Sequence, residues 1–453
     1  MKNKDESIVR ILEIRLKNYK NISGGQIKPG DISSLKNGMA DICGIYGQNG
    51  TGKTSVISAV SILKKLFMDM SLPDDMSQII MQGEKETEIE ILFYMKNADR
   101  EYKVEYLVVI ELDKGKSSIK EESIRYWSSD DGENWGVVRG LIVNKNTEKS
   151  ISPLYRDKEI AELYDERIGF HVYRRMQFAQ NKSMFFSSEF RDLIDENLDT
   201  LGEEYEIIGL LYQFAYFNLF IVDSRTLALS DANILLPINI KSYRGNTMVL
   251  PIGLDKPVYL PKELVSDIES SLLSSNLVLS EIIPGLTIEA KELSIRTSED
   301  GEEEILIELL SNREGIKIPI RYESDGIKKI VTVIHLLIAM YNYNFITVLI
   351  DEFDSGIFEY LLGELLEVLE KRAKGQLIFT SHNFRPLEVM DKNNLVFTTT
   401  NPNNRFIKLR NVKTNNNLRD LYYRDLVLGG QKEEIYQKTN SAKITRAFRK
   451  AGI

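Results

Sequence analysis

The chain has 453 residues, with 58 Lys+Arg against 67 Asp+Glu, 43% apolar and 28% charged residues, 11 Pro and a single Cys. At about 150 residues per domain this length predicts two to three domains or one elaborated α/β core, and the near-average composition excludes a disordered, collagen-like or disulfide-built chain. Cys43 alone can make neither an internal disulfide nor a CxxC zinc site, so a reducing, cytoplasmic setting is expected. Residues 1–10 are charged and lack the apolar segment of a secretory leader, and no uninterrupted apolar run reaches about 18 residues, so neither secretion nor membrane insertion is expected.

In chain order, residues 11–19 place Leu12, Ile14 and Leu16 between Glu13, Arg15 and Lys17, an alternation that predicts a half-buried strand. The apolar run 42–46 enters a glycine loop. Val56, Ile57, Val60, Leu63 and Phe67 then recur at helical spacing over 54–68. Residues 89–94 and 104–112 read as strands, and a turn at Asp130, Asp131 and Gly132 before 135–143 adds a hairpin. Together they predict an antiparallel β-subdomain inserted after the first helix.

From 152 to 279 the pattern is largely helical, strongest over 192–220, looser over 235–261, and without the sustained heptads of a long coiled coil. Strands return at 286–295 and 304–310 around the acidic turn 298–303. The β-rich run ends at Tyr322, and a helix is expected over 326–341. Two continuous apolar runs, 345–350 and 376–380, flank a helix over 358–372, which predicts two buried parallel strands joined by a crossover. Apart from an asparagine cluster at 415–417 there is no low-complexity tract. Residues 401–453 carry 12 Lys/Arg against 4 Asp/Glu, either a solvated helical face or a surface for nucleic acid or a protein partner.

The strongest chemical signal is Gly47-Gln48-Asn49-Gly50-Thr51-Gly52-Lys53-Thr54, which fits G-x-x-x-x-G-K-[ST] between a buried strand and a helix. Its glycines let successive N–H groups face inward as an anion nest, reinforced by the helix N-terminus, so the loop is built for phosphate. Lys53 would reach the β- and γ-phosphates, and the Thr54 hydroxyl would ligate Mg²⁺. Val348-Leu349-Ile350-Asp351-Glu352 is an apolar strand ending in two carboxylates, Asp351 placed to hold Mg²⁺ and Glu352 to act as general base on water. His382, one of three histidines, follows the second apolar run and would point at the γ-phosphate. Ser324 is the expected N-cap of the 326–341 helix, whose start either is merely capped or offers a second anion site to a nucleotide held by another subunit. Asp354-Ser355-Gly356 forms a turn just after Glu352.

In this order and with these flanks, the residues resemble the ATP-binding head of ABC-type ATPases of the SMC, RecF and OLD lineage, rather than a ring-forming AAA+ machine. The resemblance covers roughly 1–110 and 280–400 and is silent between. It implies an α/β ABC-ATPase head with a mainly parallel P-loop core sheet, an antiparallel β-subdomain and an inserted helical lobe. The corresponding divisions are an N-terminal ATPase lobe at 1–150, a helical insertion at 151–280, a C-terminal ATPase lobe at 281–400 and a basic segment at 401–453.

Residues 47–54 match Walker A, so Gly47, Gln48, Asn49, Gly50, Thr51, Gly52, Lys53, Thr54 and the following Ser55 are expected to hold ATP. Residues 349–352 match Walker B, Asp354 to Gly356 the D-loop, and His382 the switch histidine. Ser324 and Gly326 match the serine and last glycine of the S-G-G signature, with Asp325 in place of the middle glycine. By this resemblance Ser324, Asp325, Gly326, Asp354 and Ser355 would contact ATP held by a second subunit, and Glu352, His382 and Lys53 would carry hydrolysis. Asn18-Tyr19-Lys20-Asn21 resembles the family's nucleotide-contacting turn. Gln180 and Gln177 are both candidates for the Q-loop glutamine.

More narrowly, 323–329, 351–362 and 379–389 look like the stand-alone AAA-family ATP-binding proteins of bacterial phage-defence loci, including abortive-infection ATPases and the ATPase of the PARIS system. This implies a homodimer or higher homo-oligomer, a separate effector, often a nuclease of TOPRIM or related type, and a phage-derived trigger. No TOPRIM domain is evident after the ATPase elements, where too few residues remain for one, and neither a long coiled coil nor a zinc hook is present. The expected function is an ATP-gated sensor or scaffold in defence. A RecF-type ATPase that clamps DNA is the second reading, and a transporter ATPase subunit fits less well.

Overall fold

The structure, a computed structural model, describes residues 7–73, 76–98, 100–145, 152–153, 168–195, 198–223, 233–238, 248–254, 256–298, 300–410 and 418–451. Five short segments form a parallel sheet in the spatial order Leu395–Thr398, Asp41–Tyr46, Gln376–Ser381, Thr347–Ile350, Leu219–Val222, and Phe406–Ile407 adds an antiparallel edge. The first four are buried along their whole length, as strands covered on both faces must be. Alternate residues serve two cores. Cys43, Ile45, Leu349, Ile378 and Val396 join the core of the Lys53–Phe67 helix and the N-terminal strand. Ile42, Tyr46, Val348, Ile350, Leu377 and Phe379 join the core of the helices Val265–Ile282, Asp325–Asn342 and Glu359–Arg372.

Beyond the Lys53–Phe67 helix lies an antiparallel sheet, in the order Ile22–Ile27, Ile8–Tyr19, Glu86–Asn97, Arg100–Asp113, Lys116–Ser129, Arg139–Asn144, Ser152–Pro153. It is more than the expected insertion, because the first strand of the chain is one of its central members: Ile14 lies opposite both Ile27 and Ile91. Two buried side chains join this sheet to the parallel one. Gln376 accepts from Ile11 N at 3.0 Å and donates to Ile11 O at 2.8 Å, taking the place of a strand partner, while Arg10 donates to Ile346 O at 3.3 Å and lies 3.7 Å from Asp41. Burial dominates both charges, lowering Arg10 to about 10 and raising Asp41 to about 6.

The largely helical reading of 152–279 is corrected. Helices Ile168–Ala179, Ser188–Asp195, Leu198–Gln213 and Val265–Ile282 are present, but so are strands Asn233–Ile238, Met248–Gly253 and Val258–Pro261. Leu219 and Phe220, read as the end of an amphipathic helix, open the edge strand Leu219–Val222 beside Thr347–Ile350. Periodicity could not separate it, since a four-residue apolar strand directly following a helix prolongs the same apolar pattern. The asparagine cluster at 415–417 lies outside the described residues. Among those described, no helix is long and apolar enough to cross a membrane.

Candidate functional site

The strand Asp41–Tyr46 ends at a loop whose glycines are sterically required. Gly47, at φ +152°, would place a Cβ 1.7 Å from Thr398 Oγ1, and Gly50 and Gly52 take φ +77° and +95°. The Lys53–Phe67 helix begins without a side-chain cap, which leaves its first turn open to an anion. Lys53 is buried, and its ammonium lies over the loop, donating to Gly47 O at 2.8 Å and Gln48 O at 3.1 Å. Burial lowers it to about 8, against the pull of Asp351, Asp354 and Glu352. Such an ammonium is partly desolvated in advance, so a phosphate oxygen replacing the carbonyls would restore its preference for the charged form.

Asp351 ends the strand two places from the loop strand and is fully buried. Its Oδ1 accepts from Thr54 Oγ1 at 3.2 Å and from Thr380 Oγ1 at 2.6 Å. Thr54 and Asp351 thus present a hydroxyl and a carboxylate at one point. That hard-oxygen pair fits Mg²⁺ shared with a phosphate, which needs only one or two protein ligands. Among the described residues no group of three or more His, Cys, Asp or Glu could hold a metal by itself.

Glu352 is exposed, and its backbone is in the left-handed region at φ +49°. Its N–H donates to Thr380 Oγ1 at 2.7 Å, and its carbonyl accepts from the buried Lys329 Nζ and from Ser355 N at 2.9 Å. His382 follows the strand lying between those of Asp351 and the loop, and its N–H donates to Asp354 Oδ2 at 2.9 Å. Burial, then the Lys53 charge, hold its imidazole below the ordinary value.

Ser324 caps the Asp325–Asn342 helix through Ile327 N at 3.4 Å. The start of this helix touches the turn at 354–356 so closely that a Cβ on Gly326 would sit 2.0 Å from Gly356 O. Glycine is therefore needed at 326, while Asp325 is exposed. The N-terminal turn also reaches the loop: Asn21 Nδ2 donates to Gly50 O, and Ile22 packs against Gly52. On the outer side Gln48 bonds the backbone of Gln437, accepting from N at 3.0 Å and donating to O at 3.5 Å.

The two glutamine candidates, Gln180 and Gln177, are not brought to the loop. The residue after Gln180, Asn181, bonds Leu72 N and Ser117 O beyond the C-terminal end of the Lys53–Phe67 helix, about 22 Å along its axis from Lys53. Gln177 is tied to the Tyr173 hydroxyl within its own helix. The position that the fold presents beside Asp351 is Asp223, directly after Val222, whose carbonyl accepts from Asp351 N at 2.8 Å. Sequence reasoning also missed Thr380, Thr398 and Lys329. A lysine within the apolar face of a helix was the available signal for the last.

No family model and no curated protein matches the chain. Among solved structures it is similar to an Smc head bound to the C-terminal winged-helix domain of ScpA, with 14% identity, coverage of 88% of this chain and 97% of that one, and a TM-score of 0.39. It is also similar to the Smc head of Pyrococcus furiosus with an extended coiled coil, bound to the C-terminal domain of ScpA (12%, 89% and 96%, 0.41), and to the SMC head of Thermotoga maritima (14%, 88% and 99%, 0.34). At such low scores and identities these likenesses carry no functional argument, and the chemistry rests on the geometry above.

Proposed function

We propose that the chain is an ABC-type ATPase that binds and hydrolyses Mg-ATP. The observation that carries this is the convergence, at the C-terminal ends of neighbouring parallel strands, of the Lys53 loop, the Thr54–Asp351 pair, Glu352 and His382. The loop amides and Lys53 would hold the β- and γ-phosphates. Thr54 and Asp351 would hold Mg²⁺, which neutralises charge developing on the phosphates. Glu352 would take the proton of the attacking water, and His382 would orient that water.

Ser324 to Gly326 and Asp354 to Ser355, which share one surface, would meet the nucleotide of a second copy, so that ATP joins two heads and hydrolysis releases them. On the motif resemblance, this cycle would serve as a nucleotide-gated sensor or scaffold in anti-phage defence, governing a separate nuclease-type effector. The basic helix Ser441–Ala451, exposed along its described length, favours a second reading in which the closed heads clamp DNA.

ATP turnover and nucleotide binding test the site. Lys53→Ala is expected to abolish tight nucleotide binding. Glu352→Gln is expected to bind ATP normally and to lose about 10²–10⁴-fold in turnover. Hydrolysis unchanged in either variant would contradict the assignment. ATP-stimulated, salt-sensitive DNA affinity would favour the clamp, and co-purification with an effector would favour the defence scaffold.

A further inference from the structure

Glu352 is held in a backbone conformation that residues other than Gly, Asn and Asp seldom adopt, and such conformations persist where the surroundings over-determine them. Its peptide groups are fixed from both sides. Thr380 Oγ1 accepts the N–H at 2.7 Å and donates its own hydrogen bond to Asp351 Oδ1 at 2.6 Å, while Lys329 Nζ donates to the carbonyl. Lys329 is 4% exposed, on a helix whose buried residues are mostly apolar, Val333, Leu336 and Met340 among them. A lysine there gives up hydration that a leucine would not need, so its place calls for a compensating role.

That role is visible in the ring of contacts to which Lys329 belongs. Its helix starts at Ser324 and touches Gly356 through Gly326. Gly356 closes the turn that begins at Glu352, and the Glu352 carbonyl returns to Lys329. Burial lowers Lys329 to about 8, and Asp354, Glu352 and Asp351 pull against it.

We propose that Lys329 is a positioning residue, which holds the Glu352 peptide in its left-handed turn, aims the carboxylate at the water, and ties that aim to the start of the Asp325–Asn342 helix. This rests on Glu352 being the residue that activates water. It makes hydrolysis responsive to whatever the Ser324 end of the helix touches, since that end cannot shift without moving Lys329.

The test compares Lys329→Met and Lys329→Arg, each alone and combined with Glu352→Gln, by single-turnover hydrolysis and by binding of a fluorescent ATP analogue. Lys329→Met is expected to slow turnover about 10–100-fold with analogue affinity unchanged. Lys329→Arg, which keeps charge and donor, is expected to retain most of the rate. In the Glu352→Gln background Lys329→Met should add no further loss, because its effect passes through the carboxylate. Should Lys329→Met fail to fold, Lys329→Gln carries the same comparison. Wild-type turnover in the folded variant, or an equal further loss without the carboxylate, would overturn the proposal. Hydrolysis indifferent to Glu352→Gln would instead overturn the ATPase reading itself.

Discussion

Gly47 accepts no side chain, and the reason is separable from backbone strain. Its Cβ would fall 1.7 Å from Thr398 Oγ1, whereas Gly50, also at positive φ, has nothing within 4 Å. Gly47→Ala is therefore expected to cost at least about 2 kcal/mol in urea unfolding and Gly50→Ala about 1 kcal/mol. Equal losses would show that the Thr398 contact is of no consequence. His335 offers a test in pH. It is buried beside Ser275, and burial lowers it to about 3. The unfolded imidazole titrates near 6.5, so protons favour the unfolded chain: the contribution of His335 is complete above about pH 6.5 and is lost as pH falls towards 3, by about 1.4 kcal/mol per unit. Asp41, raised to about 6, acts in the opposite sense between about pH 6 and 4, so the total profile conceals both. The stability of wild type relative to His335→Leu should fall by about that slope between pH 6 and 4, and a constant difference would sink the idea. Residue identities were the most legible part of the site, because Gly47, Lys53, Thr54, Asp351 and His382 occupy motif positions whose chemistry is local. Thr380 and Lys329 were not legible, since their importance comes from elements brought together by the fold.

Among the elements, the join between the two sheets is the feature least visible in the sequence. Gln376 stands at the head of an apolar run and reads there as a strand boundary, yet its amide satisfies both backbone groups of Ile11. Gln376→Ala would leave a buried donor and acceptor without partners. A loss of about 2–4 kcal/mol in urea unfolding is expected, with the midpoint shifted and the denaturant slope unchanged. A near-neutral result would mean that Arg10 alone holds the sheets together. Three of the five parallel strands, Asp41–Tyr46, Thr347–Ile350 and Gln376–Ser381, were legible as uninterrupted apolar runs, whereas Leu219–Val222 and Leu395–Thr398 were not. The order of the five was not legible either, because periodicity reports burial and not neighbours, and it placed neither Gln376–Ser381 between the loop strand and the Asp351 strand nor Leu219–Val222 at the edge.

At the scale of the whole molecule, the C-terminal segment meets the glycine loop. Residues 401–453 hold 12 of the 58 basic side chains, and the Gln48–Gln437 contact brings this segment to the rim of the phosphate loop. The solution mass of Glu352→Gln protein by light scattering, with and without Mg-ATP at low and moderate salt, tests the two-headed cycle. ATP is expected to convert monomer to dimer, whereas an oligomer indifferent to ATP would make the chain a constitutive scaffold. The order of strands in the parallel sheet bears on the chain's birth as well. The strand Asp41–Tyr46 leaves the ribosome more than 300 residues ahead of both of its neighbours, Gln376–Ser381 and Leu395–Thr398. At roughly 5–20 residues per second the loop strand waits roughly 15 to 70 seconds without the neighbours between which it is buried. Nascent chains stopped short of residue 376 should therefore be the forms that chaperones retain and proteases clear, so that a nonsense mutation late in the gene would remove the whole protein and not merely its tail.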